Sequence, residues 1–120
     1  MQHVANLLNK AADLMETYGK ANGYFIRKGG SMCLQGALMA AASNASAEMI
    51  VKGDVLGIHD GYTKPGYREA IDLLSIKIGD YDMPSPSSSP DSRVAQWNNF
   101  IATQEQAIAK LRETATSIIL

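Results

Sequence analysis

Between Gly29-Gly30 and Ala41 the chain is almost devoid of bulk: Ser31-Met32-Cys33-Leu34-Gln35-Gly36-Ala37-Leu38-Met39-Ala40-Ala41, with the sole cysteine inside it. A helix of such small residues has a thin surface, so neighbouring segments can approach until backbone nearly meets backbone. Gly36 within a helix costs roughly 1 kcal/mol relative to alanine. A second backbone crossing close above it is the simplest compensation. The spacing predicts a helix capped by Ser31, with Leu34, Ala37, Leu38 and Ala41 facing inward. Cys33 would then stand at the helix start, where unpaired N–H groups and the positive dipole end can stabilise a thiolate. A reactive thiol and a buried packing residue are the two readings. The second is the stronger, because a small apolar thiol suits a tight crossing.

The other helical patterns are conventional. Val4, Leu7, Leu8, Ala11, Leu14, Met15 and Tyr18 recur at three- and four-residue steps, and Gly19 ends that helix. Ser46 or Asn44 can cap a short segment that stops at Gly53. Pro65 favours an early helical turn, after which Tyr67, Ala70, Ile71, Leu74 and Ile78 share a face. Thr103 with Gln106 reads as a capping box for a last helix that packs through Ala107, Ile108, Leu111, Ala115 and Ile118. The apolar end, Ile119-Leu120, suggests docking against the body or a partner. The expected fold is mainly α, a single domain of four to five helices, with room for a short strand or hairpin near residues 24–28. Residues 1–120 form that one domain, and the Pro/Ser-rich stretch at 80–93 is read as a flexible loop within it.

Composition narrows the function classes. At 120 residues the chain can bury a core without disulfide staples, and its one cysteine suits a reducing, cytoplasmic setting. Eleven basic side chains face twelve acidic ones, and residues 1–60 hold five of each, so neither half is a basic arm for nucleic acid. No secretory leader is visible, and no run approaches the roughly 18 apolar residues of a membrane span. Arg27-Lys28-Gly29-Gly30-Ser31 holds only fragments of a phosphate loop and reads as a glycine turn. Tyr24, Phe25, Arg27 and Lys28 make a miniature basic-aromatic strip, which ranks a weak nucleic-acid module last. Cys33, His59, Asp60 and His3 lack the paired spacing of metal ligands, and the pattern points to no metal and no cofactor.

Cys33 with the later Cys-x-x-Gly-Ala-Leu positions Gly36, Ala37 and Leu38, followed by Trp97-Asn98-Asn99 and a terminal helix, resembles a family of small actinobacterial and phage proteins labelled "domain of unknown function 6197". The first helix, from Leu7-Leu8 to Gly19, shares the likeness. The family pattern has Asp where this chain has Asn99. The resemblance implies site residues and no reaction.

Two function classes follow. The leading one is a small intracellular binding or protein-interaction domain with a pocket near Cys33 and Trp97, also using Asn98, Asn99, Tyr24 and Arg27. Its partner would be a small polar ligand, another protein or a second copy of the chain, with no membrane. In it Trp97 plugs a core edge or walls a pocket, and the asparagines satisfy loop backbone. The alternative is a cysteine-dependent hydrolase or transferase in which His59 activates Cys33.

Overall fold

The computed structural model describes residues 1–79 and 89–119. Seven α-helices occur among them: α1 (Gln2–Tyr18), α2 (Leu34–Ala42), α3 (Ala47–Lys52), α4 (Val55–His59), α5 (Tyr67–Ile78), α6 (Pro90–Phe100) and α7 (Gln104–Ile119). A single 3-10 turn, Asp60–Thr63, links α4 to α5.

The short α2 is the hub. It touches α1, α4, α5, α6 and the 3-10 turn, while α1 lies along α7 and α5 pairs with α6. Seven of its nine residues are buried, on every side rather than along one stripe. Small side chains make this possible, because five neighbours must fit around one thin rod. At Gly36, an added Cβ would stand 1.7 Å from the Phe25 carbonyl oxygen; at Gly61, one would stand 2.0 Å from that of Met39. The backbone crossing expected above Gly36 is therefore present, and the 3-10 turn makes a second crossing against the other end of α2. Around the hub, Leu8, Met15, Leu34, Leu38, Ile71 and Leu74 form one continuous core.

The amphipathic reading of α1 matches its burial: Val4, Leu7, Leu8, Ala11 and Met15 are buried, and Leu14 and Tyr18 pack partly against the core. Ser46 caps α3 by accepting from the Met49 N–H at 3.2 Å. Thr103 and Gln106 form the reciprocal pair that opens α7, at 2.9 and 3.1 Å. Across the surface, Arg112 reaches Asp13 on α1 at 2.8 Å and Arg68 on α5 binds Asp91 at the start of α6. Such exposed pairs contribute little individually.

Three expectations need correction. The helix count is seven, against four to five, and no strand exists among the described residues. The additional helices are α4 and α6. Asp54 caps α4 through the Gly57 N–H at 2.9 Å. In α6, Ser89 caps a helix whose first residue is Pro90, the position where a fixed φ and a missing N–H cost nothing. Residues 24–28 do not pair as a strand or hairpin. Lys20 and Ile26 each bridge once to Met32, and the segment then lies over α2, where no second strand is available to extend a ladder. Ser31 is not the cap of α2; Cys33 is, its sulfur accepting from the Gly36 N–H at 3.4 Å. Of the stretch read as a flexible loop, 80–88 lies outside the described residues, and 90–93 forms the first turn of α6. Leu120 and the Ile119 side chain also lie outside them.

Alanine is the better helix former, yet Gly36→Ala should destabilise the protein by about 3 kcal/mol, since its methyl would overlap a carbonyl that the crossing holds in place. Urea denaturation measures this directly; a loss under about 1 kcal/mol would mean the crossing is loose.

Candidate functional site

The segment from Lys20 to Met32 leaves α1, turns over α2 and returns to its start. It is held by main-chain bonds from Met32 N–H to Gly19, Ala21 N–H to Met32 and Cys33 N–H to Tyr24, at 3.0, 2.9 and 3.3 Å. Ile26 and Met32 point into the core; Tyr24 stays 58% exposed. On the far side stands α6, whose asparagines clasp this loop. Asn98 is fully buried. Its Oδ1 accepts from the Leu34 N–H at 3.1 Å, and its Nδ2 donates to the Ala21 carbonyl at 3.0 Å and to Asn99 Oδ1 at 3.0 Å. Asn99 Oδ1 accepts also from the Gly23 N–H at 2.9 Å. One side chain thus caps the first residue of α2 and ties down the loop above it.

Between the loop, the start of α2 and α6 lies a cleft of about 190 Å³. Tyr24, Phe25, Leu34, Val94 and Ala95 give it an apolar lining, and Cys33, Gln35, Asn98 and Asn99 supply the polar atoms. Cys33, Tyr24, Asn98 and Asn99, singled out from sequence, therefore meet in one place. Trp97 does not join them: it borders a separate groove with Ile101, Gln106 and Lys110, and the Lys110 ammonium lies 5.9 Å from its ring centre. Helical geometry explains the split, since adjacent residues on α6 point about 100° apart. Arg27 lies outside the cleft as well, with its guanidinium 5.2 Å above the Tyr24 ring and its chain lining a third groove. Sequence reasoning missed Val94 and Ala95, although Val94 stands three residues before Trp97, a helical step that could have revealed α6.

Cys33 is 6% exposed. Burial pushes its thiol above the ordinary range, and the N–H groups of Gly36 and Gln35 and the charge of Lys20 only partly counter this. The thiol at the helix start thus acts as a cap. His59 is engaged elsewhere: its ring stacks on Tyr62 at 5.9 Å and tilts against Phe25 at 6.2 Å, and no hydrogen bond joins it to Cys33 among the described residues. His3 Nε2 lies 3.0 Å from the Pro65 carbonyl. No three His, Cys, Asp or Glu side chains gather as a metal site among the described residues, and no helix there is long and apolar enough to cross a membrane.

Among the described residues Asn99 bonds only through its acceptor oxygen, a role that Asp fills equally; Asn98 uses acceptor and donor together. Asn99→Asp should therefore stay within about 1 kcal/mol of the parent stability. Asn98→Asp should cost about 2–4 kcal/mol, by facing a carboxylate to the Ala21 carbonyl. Equal losses in thermal and urea melts would refute the division of labour. For the thiol, iodoacetamide should modify folded Cys33 at least tenfold more slowly than a free cysteine at pH 8. Because the pKa is raised, the rate should climb only above the usual thiol range, and His59→Ala should not change it. A fast reaction near pH 7 that needs His59 would contradict this.

A family model described as "Family of unknown function (DUF6197)" matches residues 1–117. No curated protein and no solved structure matches the chain.

Proposed function

The chain belongs to the DUF6197 family, and on that premise we propose that it is a small binding domain whose cleft beside Cys33 receives one apolar group carrying a carbonyl. That group belongs to a small ligand or to a single residue of a partner protein. The supporting observation is the division of polar atoms around the cleft. The oxygens of Asn98 and Asn99 are spent on the fold, whereas the Gln35 amide and Asn99 Nδ2 bond to no other described residue. Two amides with donors to offer thus border walls made of Tyr24, Phe25, Leu34, Val94 and Ala95. Apolar lining with a few placed polar groups is the usual form of a recognition site, and about 190 Å³ falls below the volume of a drug-sized pocket. One side chain fits.

The single free thiol accords with a reducing, cytoplasmic setting in this reading. A second copy of the chain is one candidate partner, through the exposed side chains of Val51, Val55 and Leu56.

N-acetyl amino-acid amides test the cleft. Those of leucine and phenylalanine should bind at millimolar concentration and shift the amide resonances of Gly23, Cys33 and Gln35, with the serine and glutamate derivatives weaker. Ala95→Phe fills the space and should abolish the shifts while the fold persists. Indifference to the side chain, or to Ala95→Phe, would overturn the proposal.

A further inference from the structure

The loop over α2 carries Lys20, Arg27 and Lys28, and no carboxylate occurs anywhere between Thr17 and Ala47. The ion pairs among the described residues involve none of these three cations. Lys20 and Arg27 line the same groove, of about 480 Å³, and no acidic residue borders it among the described residues. Asn22 also lines it, together with Thr103 and Gln104 where α7 begins. The Lys20 ammonium donates to the Asn22 amide oxygen, a neutral partner that leaves its charge uncompensated. Burial pushes its pKa down. Lys20 and Arg27 thus border one recess with no described acidic residue on its lining, an arrangement that an anion would relieve.

We propose that the groove between residues 20–27 and the start of α7 binds a small, soluble phosphate monoester. Charge is the first reason: a monoester carries close to two negative charges near neutral pH, matching the two cations. Shape is the second, because guanidinium offers a planar fork that fits phosphate oxygens, and ammonium adds a point charge beside it. Size is the third. The groove exceeds a bare phosphate, and the polar side chains of Asn22, Thr103 and Gln104 suit the hydroxyls of an attached polyol or sugar. The positive end of α7 adds to the potential without being needed for it. This site shares no lining residue with the cleft beside Cys33, so either proposal can fail alone.

Titration of the full chain with ribose 5-phosphate, followed by amide resonances, tests the idea. Shifts should concentrate at Ala21, Asn22 and Gln104, and ribose should produce none. Lys20→Gln and Arg27→Gln should each weaken binding about tenfold, the effect of losing one charge-assisted hydrogen bond. Lys28→Gln lies on the same loop outside the groove and should change affinity less than about twofold in salt that screens distant charge. Ala95→Phe should leave phosphate binding intact. Equal weakening by Lys28→Gln would reduce the effect to general positive charge and overturn the site. So would an absence of shifts in the unaltered chain, a reading that depends on no variant. Binding only to phosphatidylcholine vesicles doped with phosphatidic acid would place the phosphate on a membrane and also overturn it.

Discussion

The contact on which the rest of the molecule depends is the Phe25 carbonyl lying over Gly36. Two stretches of main chain meet there at a distance that no side chain larger than hydrogen permits. That single crossing sets the height of the 20–33 loop above α2. It thereby sets where Tyr24 and Phe25 stand, how deeply Cys33 is covered, and how much space remains next to α6. The second crossing, Gly61 against the Met39 carbonyl, fixes the other end of the same helix. A rod clamped at both ends has little freedom to tilt, which gives the cleft at its start a defined shape.

Asn98 ties this packing to the cleft. Buried amides cost free energy unless every donor and acceptor finds a partner, and this one is satisfied only when α2, the loop and α6 stand in their native relation. Its bonds to Leu34 and Ala21 therefore report three elements at once. The neighbouring Asn99, which also lines the cleft, continues the clasp to Gly23 with its oxygen. Cys33 belongs to the same logic. Its sulfur closes the first turn of α2 from within, and burial pushes its pKa up. A cysteine at a helix start invites a catalytic reading; in the fold its sulfur accepts from the Gly36 N–H as the cap of α2.

Much of the architecture was legible before any coordinates. Three- and four-residue periodicity located α1, α5 and α7, and the reciprocal Thr103–Gln106 pair marked the start of α7 to the residue. Gly36 inside a helix implied a close crossing, and the crossing is there. Two short helices were not legible, because α4 is barely more than a turn and α6 has little apolar contrast along its length. Ser89-Pro90 did carry a start signal, which the adjoining prolines and serines obscured. The site was half legible. Cys33, Tyr24, Asn98 and Asn99 share one cleft, while Trp97 and Arg27 border other grooves.

The reason for that boundary is physical. Local sequence determines what depends on neighbours along the chain: helix periodicity, caps, and the small volume of Gly36, Ala37, Ala40 and Ala41 that demands close packing. It also determines charge inventory, including a stretch from Thr17 to Ala47 with cations and no acid. Tertiary structure alone decided which segment crosses Gly36, which backbone groups Asn98 satisfies, and which side of α6 faces the cleft. Each of those is a contact between residues more than ten positions apart, and only the folded chain brings them within hydrogen-bond distance.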